Sequence, residues 1–209
     1  MEWNPGSDRA RLAGALTSLA PLAVLVLAGC GSPIRPEIRD QPSPGPDTAV
    51  LRELSGPARL SAAGAARDAH AGDRISTRDT LLLPTGSAAL VVLPAGSGTV
   101  WIAPAARQDQ AGRVQDTTFR ITGSAGIVLN GHATVTVAAG TELTALCGAA
   151  ILRSTGPSSF TVNVAAGNYP DATVQVSAGT VTGSSSEGGG TPLVLSAGQQ
   201  GSIRLPRGH

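Results

Sequence analysis

Phe160-Thr161-Val162-Asn163-Val164-Ala165-Ala166-Gly167 alternates apolar and polar residues strictly and then ends on small ones. Successive side chains of a strand point to opposite sides, so Phe160, Val162 and Val164 share one face. The stretch therefore predicts a half-buried β-strand closed by a tight turn. Thr134-Val135-Thr136-Val137 and Thr173-Val174-Gln175-Val176 carry the same alternation and predict two more such strands.

The ending of that stretch recurs. Two apolar residues at i and i+2, one variable residue, then Ala-Gly are found at Val91–Gly96, Val135–Gly140, Val162–Gly167, Val174–Gly179 and Leu193–Gly198. Glycine permits a positive φ and alanine keeps the corner small, so each unit reads as a strand and then a turn. The glycines are spaced irregularly, at intervals of 44, 27, 12 and 19 residues, which weakens a strict solenoid repeat. Helical pattern is scarce: the alanine-rich Ser61 to Ala71 has Gly64 near its middle and reads as a loop or hairpin. Ser184 to Gly190 reads as a flexible loop between two strands. The fold class is all-β, a single irregular β-solenoid-like or β-sandwich domain.

The N-terminal region differs in kind. Arg9 and Arg11, an apolar run from Leu12 to Leu27, and Leu27-Ala28-Gly29-Cys30 keep the order of a secretory signal whose cleavage site looks like a bacterial lipobox. Residues 1–29 are then the signal peptide, and Cys30 is the first mature residue and the site of lipidation. A short membrane anchor is the alternative, but about 20 apolar residues are needed to span a bilayer, and Pro21 interrupts a shorter run. Two acyl chains suffice for stable anchoring, since each buried methylene contributes about 0.8 kcal/mol. Residues 30–50 read as a lipid-anchored linker with Pro33, Pro36, Pro42, Pro44 and Pro46. Fully extended, its 19 residues from Gly31 to Ala49 reach roughly 60 Å. The folded domain is assigned to residues 51–209.

Composition removes several function classes. Fifteen arginines balance fourteen acids along the chain, so no nucleic-acid surface or polybasic membrane patch is predicted. Lysine is absent, which excludes a P-loop lysine, a Schiff base and a Ser-Lys dyad. With Cys30 lipidated, Cys147 lacks an intramolecular partner, and its apolar surroundings in sequence read as those of an inert buried thiol.

No catalytic, metal or cofactor pattern is present. The sequence has no His-Glu-x-x-His, no Gly-x-Ser-x-Gly and no Gly-x-Gly-x-x-Gly. His70, His132 and His209 are isolated, His132 beside an expected Asn130-Gly131 turn. His70 and Asp73 make at most two ligands where a metal needs three or four. Asp73, Asp109, Asp116, Glu142 and Asp171 are dispersed in turn-like contexts, with no acid and base pair among them. Stacking sites need exposed aromatics, and the mature chain has only Trp101, Phe119, Phe160 and Tyr169. Phe160 reads as core, and so does Trp101 on balance. Trp101 and Tyr169 are nevertheless the candidates for ligand contact.

Three stretches together resemble the periplasmic FecR domain of iron-transport sensors and other envelope proteins. Gly72-Asp73-Arg74-Ile75-Ser76-Thr77, with Ser87 to Ser97 after it, is similar to the family's Gly-Asp-x-Ile-x-Thr opening and the strand beyond it, though alanine replaces the turn aspartate. Ala149 to Val162 resembles its strand, Gly-Thr turn and Phe-x-Val strand. Thr173 to Val181 and Leu193 to Gln200 are similar to its Val-x-Val-x-x-Gly-x-Val strand pair and closing Leu-x-Ala-Gly-Gln. The resemblance covers roughly residues 53–204 and implies an all-β, non-catalytic domain that binds other proteins. The iron-sensing members also carry a cytoplasmic sigma-factor-binding segment, a membrane span and a further C-terminal portion. No counterpart of these is read in this sequence, so sigma-factor regulation by this chain alone is not expected.

The function expected from these readings is that of a lipid-anchored, non-enzymatic envelope protein that binds another envelope protein in a sensory or assembly role. The alternative is a lipoprotein that binds cell-wall or surface polysaccharide. Gly31 and Ser32 after Cys30 lack the aspartate of inner-membrane retention, which favours the outer membrane where there are two.

Overall fold

The computed structural model describes residues 44–204 apart from 63, 105–106, 109–111, 113, 167–170 and 189–190. Residues 1–43, with Cys30, lie outside the described residues, as do Asp109, Tyr169 and His209.

An eight-stranded sheet runs from edge to edge as β19 (Gln200–Ile203), β16 (Ala172–Ala178), β15 (Ser158–Val164), β12 (His132–Val137), β7 (Gly98–Ile102), β6 (Ala88–Val92), β1 (Thr48–Ser55) and β4 (Arg74–Ser76), antiparallel throughout. A nine-stranded sheet runs as β18 (Leu193–Ser196), β17 (Thr180–Ser185), β14 (Ala150–Ser154), β13 (Leu143–Cys147), β11 (Gly126–Asn130), β10 (Thr117–Ile121), β5 (Asp79–Leu83), β2 (Arg59–Ala62) and β3 (Ala65–Asp68). Its pairs are antiparallel except β11 with β13. A short ribbon joins β8 (Arg107–Gln108) to β9 (Val114–Gln115).

Alternation explains how the sheets meet. Phe160, Val162 and Val164 of β15 are buried, as are Val135 and Val137 of β12, and all five join one hydrophobic cluster with Phe119, Ile121 and Leu129 of the other sheet. Each large aliphatic or phenyl group so buried contributes about 1.5–3 kcal/mol. Of the two architectures left open by the sequence, the pairing is that of the sandwich.

Four of the five Ala-Gly units turn the chain as predicted, and three of them do more; Gly167 of the fifth lies outside the described residues. Gly96, Gly140, Gly179 and Gly198 have φ of 70°, 73°, 75° and 84°. Gly96 comes after β6 and leads into a hairpin with β7, but Gly140, Gly179 and Gly198 each lie where the chain leaves one sheet for the other. Gly179 alone separates β16 from β17, and a Cβ there would collide with the Pro157 carbonyl. Gly131 does the same between β11 and β12, packed against the Thr117 side chain, so Asn130-Gly131 is a crossing between sheets where a turn was expected.

Other boundaries shift slightly. β1 begins at Thr48 and Ala49 is in the core, so the last residues of the segment read as linker belong to the sandwich. Ser61 to Ala71 contains the β2–β3 hairpin, and Ser184 and Ser185 extend β17. Among the described residues no helix is long and apolar enough to cross a membrane.

Candidate interaction surface

Of the titratable groups read in the sequence, Asp73 and Asp171 are paired with arginines. Asp73 stands between β3 and β4, where its Oδ2 accepts hydrogen bonds from Arg67 Nη1 at 2.7 Å and from the His70 backbone N–H at 2.8 Å. Partial burial alone would push this carboxyl up, but those two bonds and the Arg67 charge outweigh it and hold it below its ordinary range. His70 is thus joined to Asp73 through its backbone. Asp79 closes the β4–β5 turn by accepting from the Ser76 N–H at 2.7 Å and the Ser76 hydroxyl at 2.8 Å. Asp171 pairs with Arg204 at 3.2 Å. Among the described residues no three His, Cys, Asp or Glu side chains stand close enough to hold a metal. Cys147 is fully buried, and burial pushes its thiol up to about 12, in keeping with the inert reading.

Trp101 is a correction. It is 41% exposed on β7, not in the core, because Val100 and Ile102 on either side of it are the inward residues. It stands between Leu90 of β6 and Thr134 of β12 on the outer face of the eight-stranded sheet, and the same rung continues through Thr161, Gln175 and Gln200. Thr134 and Thr161 share a hydrogen bond at 3.1 Å. From Trp101 to Gln200 that rung is uncharged.

The two sheets end differently. At one end the edge strands carry charge: Arg67 and Asp68 on β3, Arg74 on β4. Charged edges discourage pairing with another chain. At the other end the edge strand β18, Leu193-Val194-Leu195-Ser196, has no charged residue and exposes 59% of Val194. Leu146 of β13 is 37% exposed. Both point away from the core, because Leu195, Ala145 and Cys147 beside them are buried.

The stretches that resemble the FecR domain map onto this frame in order. Gly72 to Thr77 forms a turn and β4; Ser87 to Ser97 spans β6; Ala149 to Val162 spans β14 and most of β15; Thr173 to Val181 and Leu193 to Gln200 cover β16, the start of β17, and β18 up to β19. No family model and no curated protein matches the chain. Two crystal structures, at 1.65 Å and 2.50 Å resolution, of a Parabacteroides distasonis protein described as a putative anti-sigma factor are similar to it with a TM-score of 0.43 and 17% sequence identity, over 60% of this chain and 59% of that one.

Proposed function

We propose that this chain is a lipid-anchored, non-enzymatic envelope protein of FecR-like type that binds another envelope protein in a sensory or assembly role. The observation that carries the reading is the exposure of two large aliphatic side chains, Leu146 and Val194, on the outer face of one sheet, with Val194 on an uncharged edge strand. A sheet edge gives a partner backbone hydrogen bonds, and the apolar side chains beside it give area. Lipid on Cys30 would hold the domain at the membrane.

Crosslinking intact cells that express the wild-type chain or Cys30→Ala, with mass spectrometry of the captured species, tests the proposal. A discrete envelope protein captured by the wild type and lost with the cysteine supports it. Capture of wall material alone counts against it.

Polysaccharide binding stands as a second reading because of Trp101, exposed on an uncharged rung of hydroxyl and amide side chains. A tryptophan face packs on sugar rings, and neighbouring hydroxyls and amides bond their edges. Tyr169, the other candidate, lies outside the described residues. Titration with wall fragments that leaves Trp101 fluorescence unchanged removes this reading.

A further inference from the structure

The outer face of the nine-stranded sheet is ordered by chemistry. Along one rung Arg120 of β10 is level with Val128 of β11, Val128 with Leu146 of β13, and Leu146 with Ile151 of β14. At the Arg120 end a hollow of about 200 Å³ is lined by Thr80, Thr118, Phe119, Arg120 and Val128. One rung therefore joins a guanidinium beside two hydroxyls to a row of three aliphatic side chains. Arg153 stands in the next rung, level with Thr144 and Thr182, and Thr182 is level with the exposed Val194.

Charge adds direction. Neither Arg120 nor Arg153 has an ion pair among the described residues. The nearest acids in sequence, Asp116 and Glu142, precede β10 and β13 at the strand ends rather than standing in these rungs. Around Arg120 and Arg153 the face thus presents positive charge next to apolar area, while Asp68 is level with Arg59 at the far edge of the same face. Arginine takes a carboxylate through two parallel N–H donors, and the Thr80 and Thr118 hydroxyls can donate to the same oxygens.

Resting on the protein-binding reading above, we infer that this face is the docking surface and that its occupant is an extended segment of a partner protein carrying an acidic residue next to aliphatic ones. Three strand spacings of about 4.8 Å separate Arg120 from Ile151, roughly 14 Å, the reach of four or five extended residues. A carboxylate in the hollow would leave the adjoining aliphatic groups over Val128, Leu146 and Ile151. An anionic membrane suits the face less well, because polybasic membrane sites use four to eight basic residues and this face offers Arg59, Arg120 and Arg153, with Asp68 level with Arg59.

The test is site-specific photo-crosslinking of the full-length chain in cells, with Leu146→p-benzoylphenylalanine on this face and Trp101→p-benzoylphenylalanine on the opposite one. The expected result is a discrete protein adduct from position 146, mapped to a segment with Asp or Glu beside aliphatic residues. Its yield should fall roughly tenfold or more with Arg120→Glu or Arg153→Glu, the loss of a charge-assisted contact. Both arginines are exposed, and circular dichroism would verify that the variants fold. A protein adduct from position 101 alone overturns this face while leaving protein binding intact. An adduct at 146 that survives both charge reversals overturns the acidic occupant, and lipid alone at 146 reassigns the face to a membrane. Absence of protein adducts at both positions overturns the inference and the reading beneath it.

Discussion

The Ile203 side chain occupies the space that a Cβ on Gly183 would need. Gly183 is in β17 and Ile203 in β19, on opposite sheets, and the reverse holds two residues away, where Gly201 of β19 leaves room for Leu193 and Leu195 of β18. Each sheet gives up a side chain so that a branched one from the other can enter. Gly183→Ala should therefore destabilise the domain by about 1–3 kcal/mol through overpacking. Ile203→Val removes the Cδ1 that causes the collision, so the alanine should cost less in that background. Urea unfolding of the two single variants and the double variant measures the coupling, and strict additivity would rule out the interlock.

Much of this sandwich is legible in the sequence because strand alternation is local. β12, β15 and β16 are plain in Thr134–Val137, Phe160–Val164 and Thr173–Val176, and the Ala-Gly units mark where strands stop. Where the chain goes after each stop is not legible: the same ending closes a hairpin after Gly96 and changes sheets after Gly140, Gly179 and Gly198, since the destination depends on packing with distant strands. Trp101 had a usable signal. Parity with Val100 and Ile102 places it outward beside Thr99, but its bulk and apolarity argued for the core. The arginine and aliphatic face had none, because Arg120, Leu146 and Ile151 come from three strands whose pairing includes the parallel β11–β13 contact.

Asp73 makes stability depend on pH. Its carboxyl is held below the ordinary range in the folded chain, so the unfolded chain takes up the proton first as pH falls. The stability it contributes is fully present above the unfolded value near pH 4 and is lost as pH falls through the lower folded value. Asp73→Asn should cost about 1 kcal/mol at pH 7, a modest figure because Arg67 is well exposed. Denaturant midpoints should differ at pH 7 and converge toward pH 2.

Cys147 should be silent until the domain opens. With the thiol pushed up to about 12 by burial, almost none of it is thiolate at pH 8, and the sulfur is out of solvent. Iodoacetamide should label Cys147 of residues 44–209 only in denaturant. Cys147→Ser should cost about 1–3 kcal/mol, more than Cys147→Ala, because a hydroxyl is dearer to bury than a methyl among apolar neighbours. Rapid native labelling would contradict the buried position.

Trp101 and Phe160 offer a contrast on the same sheet. Phe160→Ala should cost about 3–5 kcal/mol, since the ring is 1% exposed and its removal leaves a cavity. Trp101→Thr should stay within about 1 kcal/mol, because the replacement suits a strand surface. Trp101 is the one tryptophan between residues 30 and 209, so emission from that part of the chain reports Trp101 alone. It should be red-shifted and readily quenched by acrylamide, and a blue, protected signal would mean that another surface covers it.

Gln199 guards part of the uncharged edge. Its Oε1 accepts from the Ser196 N–H at 2.8 Å and its own N–H donates to the Ser196 carbonyl at 3.0 Å, so both backbone groups of Ser196 are used within the chain. In a strand the backbone groups of residues i and i+2 point the same way, so those of Val194 face the open side of β18 that Ser196 would otherwise extend. β3 and β4 defend their edges with charge, whereas β18 uses one amide side chain and leaves a single apolar position presented. Gln199→Ala restores the Ser196 N–H to the edge and lengthens the row that a second copy could pair with. A net hydrogen bond contributes about 0.5–1.5 kcal/mol, so self-association by sedimentation velocity should tighten by up to about tenfold. Val194→Lys in the same background should reverse it, because a charge at the centre of the edge opposes pairing whatever the state of Ser196.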